Sequence, residues 1–305
     1  MKKVLVTGAS GFIGRYALPF LIKNGYEVHA VYNTARIDSK ENKKLVWHQC
    51  NLLDSEKQKR LLSEIKPSHL LHFAWYAVPG KYWTSPENLC WVQASLELLR
   101  NFVDQKGKRA VVVGTCAEYD WSYGFCSEFN TPINPFTLYG ICKSSLQKMV
   151  EHFAKQTGIS QGWGRIFFLY GPYEAPERLV SSVIISLLQN KTAKCSRGNQ
   201  VRDFLYVQDV AEALVGLLDS DVQGPVNIAS GQPVSLKRVI YQIAEELGRQ
   251  ELVEMSALPA RENDPPLLVA DVRRLTDEVG WIPKITLEKG LSDAIRWWKQ
   301  NLKDD

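Results

Sequence analysis

Short apolar runs alternate with amphipathic segments through the first 170 residues of the chain. Continuous apolar runs predict buried strands, and apolar residues that recur every three or four positions predict helices. The predicted strands are 3–8, 27–32, 45–50, 69–74, 109–114 and 162–171, and the predicted helices are 12–25, 55–65, 87–105 and 139–157. This alternation is typical of an α/β fold with a doubly wound parallel Rossmann sheet that carries helices on both faces.

The pattern is looser after residue 171. Short strands are predicted at 203–207 and 225–230, and helices at 177–190, 208–219, 235–248, 271–279 and 287–300. We therefore expect a dinucleotide-binding Rossmann domain over 1–171, with later returns near 203–230. Most of 172–305 is expected to form a smaller C-terminal substrate-binding lobe, facing the carboxyl ends of the strands where ligands of open α/β sheets bind.

Composition disfavours several classes of protein. The chain has 37 basic and 33 acidic residues and no basic block, so nucleic acid is not an expected partner. Its six cysteines are scattered, without a C-x-x-C motif or histidines at ligand spacing, which predicts reduced thiols in a cytoplasmic protein and no metal site. We also expect no signal peptide and no membrane span, because no apolar run reaches about 18 residues.

A glycine-rich turn follows the first predicted strand. The sequence TGASGFIG places Gly8, Gly11 and Gly14 between that strand and the first helix. Without Cβ atoms the backbone can turn sharply and approach a pyrophosphate, and the helix N-terminus supplies amide groups to it. The turn therefore predicts a dinucleotide cofactor.

The end of the second predicted strand bears on the choice of cofactor. NAD-preferring sites usually hold the adenosine ribose with an acidic residue there, but this chain has Tyr32 and Asn33. Arg36 lies just beyond, and Arg15 follows the glycine turn. Neutral and basic residues suit a 2′-phosphate better than a free diol, so we expect NADP, with NAD as the alternative.

Tyr139 and Lys143 lie four residues apart near the start of a predicted helix, so both side chains share one face. A phenol has an ordinary pKa of about 10. A neighbouring ammonium group is expected to lower that pKa toward the neutral range, where the phenol can act as a general acid or base. The pair is common on helix surfaces, but its position downstream of a nucleotide-binding turn favours a catalytic role.

These features resemble the extended short-chain dehydrogenase/reductase superfamily, in the branch that acts on nucleotide-activated sugars. The similarity runs nearly end to end and is carried by TGASGFIG (7–14), HFAW (72–75), GTCAEY (114–119), YGICK (139–143), RIFFLYGP (165–172), RDFLYVQDVAEAL (202–214), VNIASG (226–231) and GWIPKITLEKGL (280–291). These motifs specify the fold and the cofactor class more closely than the substrate.

The resemblance implies roles for individual residues. Thr115 would hold the reacting sugar oxygen, Tyr139 would be the general acid/base, and Lys143 would bind the nicotinamide ribose. Cofactor contacts are implied for Gly8, Gly11, Phe12, Ile13, Gly14, Asn33, Arg36, Asn51, Leu52, Phe73, Ala74, Trp75, Tyr139, Lys143 and Tyr170. Substrate contacts are implied for Thr115, Cys116, Glu118 and Phe168, with Arg202 and Arg261 as partners of the diphosphate. The helices at 87–105 and 139–157 match those that form a dimer contact in many relatives, so a homodimer is expected.

Departures from the family pattern narrow the range of reactions that the chain can be expected to catalyse. Cys116 and Ala117 stand where sugar 4,6-dehydratases usually carry an acid pair, and neither replaces a carboxylic acid well. This disfavours a dehydratase, and a uronic-acid decarboxylase for the same reason. Phe168 and Trp91 replace frequent asparagines, which makes the pocket more apolar and suits a deoxysugar. Glu118 is left with two interpretations, a loop carboxylate bonded to local backbone or a contact to sugar hydroxyls.

We therefore predict an NAD(P)H-dependent reductase of a nucleotide-activated 4-keto-6-deoxysugar, serving deoxysugar or surface-glycan biosynthesis. Similarity to deoxysugar 4-ketoreductases that carry a run like CAEYDW supports this choice. A nucleotide-sugar 4-epimerase with tightly bound NAD uses the same three catalytic residues and is the main alternative. A non-catalytic nucleotide-binding regulator is the third.

Overall fold

The computed structural model describes residues 2–37, 42–259 and 264–302. Its strands are β1 (Lys3–Thr7), β2 (Glu27–Tyr32), β3 (Leu45–Gln49), β4 (His69–His72), β5 (Arg109–Thr115), β6 (Phe125–Cys126), β7 (Ser160–Ile166), β8 (Phe168–Tyr170), β9 (Ala193–Lys194), β10 (Val201–Tyr206), β11 (Gly224–Ile228), β12 (Pro233–Ser235), β13 (Val253–Glu254) and β14 (Leu267–Ala270). Its α-helices are α1 (Gly14–Lys23), α2 (Ser55–Ile65), α3 (Glu87–Asp104), α4 (Leu138–Thr157), α5 (Leu179–Leu188), α6 (Val207–Asp219), α7 (Leu236–Leu247) and α8 (Leu287–Asn301).

The central sheet has seven parallel strands in the order β11-β7-β5-β4-β1-β2-β3. The chain winds outward from β1 in one direction through β2 and β3, and in the other direction through β4, β5 and β7. The carboxyl ends of β1 and β4 therefore flank the point where the winding reverses, which is where open α/β sheets bind their ligands. This sheet confirms the doubly wound Rossmann fold that the sequence predicts.

Strand residues alternate between two hydrophobic cores, one on each face of the central sheet. Val4 and Val6 pack in the core formed with α1 and α6, whereas Leu5 packs in the core formed with α2, α3 and α4. In β5, Val111 and Val112 divide between the two cores in the same way. Because both faces are covered, these strands read as continuous apolar runs instead of alternating ones.

A second layer covers the carboxyl ends of the central strands. β12, β10, β14 and β6 form a sheet that β8 joins through β10, and β9 pairs with β13. Helices α5, α7 and α8 share a separate apolar core beside this sheet. The predicted strand at 162–171 is divided, because β7 belongs to the central sheet and β8 pairs with β10 of the second layer. The helix predicted at 271–279 is wrong in type, since Arg274–Glu278 form one short π-helical turn.

Helix lengths and compositions in the described part of the chain do not meet the requirements for crossing a membrane.

Candidate active site

The glycine turn after β1 is as tight as its sequence predicts. Gly8 has a φ of +63°, and a Cβ there would lie 2.9 Å from the Ala74 amide nitrogen. A Cβ on Gly14 would lie 2.2 Å from the Gly8 carbonyl oxygen. The Gly11 amide donates to that same oxygen at 3.0 Å. Side chains at Gly8 and Gly14 would therefore force the turn away from β4 and from the start of α1.

Helix α1 begins beside this turn without a side-chain cap, and its Arg15 and Tyr16 amides donate to the carbonyls of Gly11 and Ile13. Its N-cap residue, Ile13, makes no side-chain cap, and its first turn contains no acidic residue. Uncapped amides and the positive end of the helix dipole favour an anion, so the turn fits the pyrophosphate of a dinucleotide. Phe12 and Ile13 are half-buried within the turn.

Arg15 braces the turn instead of reaching toward a 2′-phosphate. Its Nε and Nη2 donate to the carbonyl oxygens of Gly11 and Ser10 at 3.2 and 3.0 Å. Its guanidinium lies 3.8 Å from the centroid of the Tyr173 ring. The guanidinium is thus bonded along one edge and stacked on one ring, and the expectation that it binds phosphate is not supported.

The adenosine end of the predicted cofactor site lies beyond β2 and β3. Asn33 and Arg36 are exposed, and no acidic residue stands between Tyr32 and Ile37. Asn51 is exposed as well, and its Oδ1 accepts from the Leu53 amide at 3.1 Å. Leu52, by contrast, packs in the core on the α2 side, and its contact with a cofactor stays a prediction.

The segment after β4 is tied to the end of β1. The amides of Phe73 and Ala74 donate to the backbone oxygen and the Oγ1 of Thr7, at 3.2 and 3.3 Å. His72, which the sequence analysis does not single out, joins the Thr7 hydroxyl at 2.6 Å and the Ser95 hydroxyl at 2.9 Å. Burial lowers the pKa of His72 to about 3, so its ring is neutral. This neutral histidine links the end of β4 to β1 and α3.

Tyr139 and Thr115 are brought together by helix α4. The helix is capped by Thr137, which accepts from the Gly140 amide. A Cβ on Gly140 would lie 2.4 Å from the Ala117 carbonyl oxygen, so α4 rests directly on the turn that follows β5. Burial raises the pKa of Tyr139 above its ordinary value, and Tyr82 adds to this, while a hydrogen bond with Thr115 opposes it.

Lys143 lies one helical turn after Tyr139 on α4, and its side chain is buried. Its Nζ donates to the Val113 carbonyl at 2.8 Å and lies 3.7 Å from the centroid of the Trp75 ring. Burial lowers its pKa to about 7, and the charge of Glu118 opposes the decrease. The expected lowering of the Tyr139 pKa is therefore wrong for this structure, because burial shifts both groups toward their neutral forms.

Aromatic rings enclose the Tyr139 phenol. The ring centroids of Tyr82, Trp83 and Trp75 lie 4.9, 5.8 and 6.5 Å from that of Tyr139. Asn88 is fully buried and holds this group in place, since it accepts from Trp75 Nε1 at 2.8 Å and donates to the Tyr82 carbonyl at 2.7 Å. The surroundings of the phenol are therefore apolar and crowded.

The structure contradicts the substrate contact expected for Glu118. Its carboxylate is fully buried and accepts from the Thr115 amide at 2.9 Å, from Trp163 Nε1 at 2.9 Å and from Arg165 Nε at 2.7 Å. The alternative interpretation, a carboxylate bonded to local backbone, agrees with the hydrogen bond from the Thr115 amide. Glu118 also forms an ion pair with Arg165. Arg165 was missed, although an arginine within the apolar run of β7 is a signal of a buried partner.

Two further predicted site residues have side chains in apolar cores. Cys116 packs beside Tyr119 and Cys126, and burial raises the pKa of its thiol. Tyr170 is buried in the second layer, where its hydroxyl donates to the Leu287 carbonyl at 3.2 Å. The substrate contact of Cys116 and the cofactor contact of Tyr170 stay predictions.

Arg202 is buried against Phe168 and Asp264. Its guanidinium lies 5.3 Å from the centroid of the half-buried Phe168 ring and forms an ion pair with the Asp264 carboxylate. A diphosphate contact for Arg202 stays a prediction, and it requires Asp264 to release the guanidinium. Arg261 lies outside the described residues.

Comparison with known proteins places this site in a family. The model of the NAD dependent epimerase/dehydratase family matches residues 4–229. UDP-glucuronic acid decarboxylase 1 of Xenopus tropicalis is 28% identical over 317 residues, covering 99% of this chain and 73% of the frog protein.

Solved structures agree with this match over the whole chain. The UDP-glucose 4-epimerase of Thermotoga maritima, in complex with UDP-glucose, has a TM-score of 0.89 and 26% identity, covering 99% of this chain and 100% of that one. MoeE5, in complex with UDP-glucuronic acid and NAD, has a TM-score of 0.85 and 31% identity, covering 98% and 99%. With the glycine turn and the Thr115, Tyr139 and Lys143 set in place, the chain belongs to the NAD-dependent epimerase/dehydratase family, the nucleotide-sugar branch of the extended short-chain dehydrogenase/reductases.

Proposed function

We propose that the protein is an NAD(P)H-dependent reductase of a nucleotide-activated 4-keto-6-deoxysugar. The observation that carries the proposal is the burial and pairing of the three residues after Thr115. Cys116 is buried with a raised thiol pKa, Ala117 has no ionisable group, and Glu118 is committed to Arg165. The site therefore lacks the second acid/base pair that elimination or decarboxylation within this family would use, and hydride transfer with one proton is the chemistry that fits.

Each catalytic side chain has a separate role at the carbonyl group. A bound nicotinamide nucleotide supplies the hydride. The Thr115 hydroxyl donates a hydrogen bond to the carbonyl oxygen, and Tyr139 transfers its proton to the alkoxide that develops there. Tyr139 is protonated at neutral pH, which is the form that a proton donor needs, although burial raises its pKa and makes it a weaker acid. The charged form of Lys143 stabilises the developing negative charge.

The apolar surroundings of Tyr139 support a 6-deoxysugar. Tyr82, Trp83 and Trp75 surround the phenol, and Phe168 lies beside Arg202. A methyl group at C6 is accommodated by such rings. The uridine diphosphate sugars bound by the similar structures make a UDP-linked substrate the first to test.

A nucleotide-sugar 4-epimerase is the second candidate, favoured by the likeness to the Thermotoga epimerase. An epimerase must oxidise C4, turn the keto intermediate over and reduce its other face with the same cofactor. The crowding of three aromatic rings around Tyr139 opposes that rotation and supports the reductase.

For the cofactor, we propose NADP(H) bound through Asn33 and Arg36. The support is that both side chains are exposed at the end of β2 and that the segment up to Ile37 contains no acid. The NAD found in the similar MoeE5 structure makes NAD the alternative. Arg36→Glu is expected to raise the Kd for NADPH at least about tenfold and to leave that for NADH nearly unchanged.

We further propose a homodimer through α3 and α4, which pack side by side and expose Leu89, Ile141 and Met149. Ile141→Glu with Met149→Glu should convert a dimer to a monomer in light scattering coupled to gel filtration. A parent protein that is monomeric at micromolar concentration refutes this proposal.

A panel of UDP- and dTDP-linked 4-keto-6-deoxyhexoses with NADPH and NADH tests the reaction. Cofactor absorbance measures turnover, and NMR of the product identifies the carbon that is reduced. Consumption of reduced cofactor with a keto-sugar supports the reductase. A protein that purifies with NAD and converts a 4-hydroxy sugar nucleotide without added cofactor is an epimerase, and the reductase proposal then fails.

A further inference from the structure

The buried Glu118 carboxylate has a site built around it directly behind Thr115. Three N–H groups converge on it, from the Thr115 backbone, the Trp163 indole and the Arg165 guanidinium. Gly114 leaves the room for this arrangement, because a Cβ there would lie 2.0 Å from Trp163 Nε1 and 2.5 Å from Glu118 Oε1. The anion is therefore an integral part of the end of β5.

A chain of hydrogen bonds prevents this carboxylate from swinging toward a substrate. Arg165 Nη1 donates to the Tyr119 hydroxyl at 3.0 Å, and that hydroxyl donates to Asn227 Oδ1 at 2.8 Å. The Asn227 amide group in turn donates to the carbonyls of Cys126 and Asp271, both at 3.0 Å. Glu118 is thereby fixed to β7, β11 and the second layer.

The catalytic helix rests on the same turn. The contact between Gly140 and the Ala117 carbonyl places α4 against residues 116–118, so the fixed negative charge acts on Tyr139 and Lys143. It raises the pKa of both groups, adding to the effect of burial on Tyr139 and opposing it on Lys143. The other titratable or charged groups that act on these three residues are Arg165 on β7, Cys116 and Tyr119 beside Glu118, Tyr82 before α3, and the neutral His72 at the end of β4.

We propose that Glu118 is a positioning residue for the reaction: it holds the Thr115 backbone in place beside the buried Lys143 ammonium, whose charge it balances. This inference rests on the reductase function proposed above. The charged ammonium is the form that stabilises the alkoxide during reduction of a carbonyl. The Tyr139 phenol is protonated at neutral pH with or without Glu118, so the charge of Glu118 matters for Lys143.

Two variants test the proposal. Glu118→Gln keeps the size and an acceptor for the Thr115 amide, but it leaves the buried Arg165 charge without its partner, which threatens folding. Glu118→Gln with Arg165→Met removes both charges and is expected to fold. Glu212→Gln with Lys284→Met is the control, because it removes an ion pair of the same charge types that involves neither Tyr139 nor Lys143.

Lysine NMR with ¹³C-labelled side chains measures the effect without any substrate. The Lys143 signal is assigned from its absence in Lys143→Met, and it is expected to titrate at lower pH in both Glu118 variants than in the parent. The shift is smaller in the double variant, since the opposing charge of Arg165 is removed as well. The control pair leaves the Lys143 titration unchanged.

Keto-sugar reduction provides the second readout. We expect kcat of the double variant to fall at least about tenfold, with a smaller change in KM. The alkaline limb of its kcat profile should move to lower pH, because Lys143 loses its proton more easily. A folded double variant with parent-like kcat, or with a parent-like Lys143 titration, overturns the proposal. If the parent reduces no keto-sugar, the proposed function fails, and the NMR titration alone decides the role of Glu118.

Discussion

Replacing Gly14 with alanine should push α1 away from the end of β1. The new Cβ would lie 2.2 Å from the Gly8 carbonyl oxygen and 2.8 Å from the Ala9 Cα, both of which are backbone atoms. Carbon and oxygen atoms approach one another to about 3.3 Å at closest in ordinary contacts, so the helix must move by about 1 Å. No side-chain rotation can relieve this clash.

The displacement has two energetic consequences. Forcing an extra methyl group into a packed backbone contact costs about 1–3 kcal/mol of unfolding free energy. A shift of about 1 Å in groups that bind the reacting partner can weaken their action about a hundredfold. Cofactor at 100 times Kd stabilises a protein by about 2.7 kcal/mol, and a hundredfold weaker Kd removes most of that stabilisation.

Urea unfolding with and without NADPH or NADH measures both quantities. Gly216→Ala is the matched control, since Gly216 lies inside α6 and a Cβ there would meet its nearest neighbour, Val279, at an ordinary 3.7 Å. This control should gain up to about 1 kcal/mol from the higher helix propensity of alanine. A Gly14→Ala protein with unchanged unfolding free energy and unchanged cofactor Kd would refute the reasoning.

Three further outcomes are expected. Tyr139→Phe should lower kcat for keto-sugar reduction about 10²- to 10⁴-fold, without weakening cofactor binding in a fluorescence titration. Asn88→Ala strands the Trp75 and Tyr82 partners of a fully buried amide, so urea unfolding should show a loss of about 1–3 kcal/mol; a loss below 0.5 kcal/mol, roughly the least that a hydrogen bond contributes, contradicts this. His72 is neutral when folded down to about pH 3, whereas an unfolded histidine binds a proton near pH 6.5. Stability should therefore fall as the pH drops from about 6.5 toward 3, by up to about 1.4 kcal/mol per pH unit, and His72→Gln should flatten that slope; equal slopes in both proteins would count against it.

Local pattern was sufficient to predict the central sheet, because buried parallel strands form continuous apolar runs and the helices between them carry helical spacing. The helix predicted at 55–65 is observed as Ser55–Ile65, and the strand predicted at 27–32 as Glu27–Tyr32. The glycine turn could also be predicted from the sequence, since its geometry depends on neighbouring residues.

Features that depend on residues distant in the sequence could not be predicted from local pattern. Glu118 and Arg165 are 47 positions apart, and only the folded sheet makes them a pair. The run 162–171 divides because its second half pairs with β10, a strand that comes much later in the chain. The burial that shifts the pKa values of Tyr139 and Lys143 likewise comes from many elements at once, so the adjacent pair alone suggested the wrong direction.

The turn after β5 connects the fold to the choice of reaction. Thr115 and Glu118 cap one another, since the Thr115 hydroxyl accepts from the Ala117 amide while the Glu118 carboxylate accepts from the Thr115 amide. This reciprocal geometry directs the one carboxylate of the turn inward to Arg165, and it leaves Cys116 and Ala117 buried at 7% and 3% exposure. An acid pair introduced at those two positions would have to be buried beside the Glu118 charge, at a cost of several kcal/mol. The geometry of this turn therefore supports the reductase proposed above over a reaction that needs elimination.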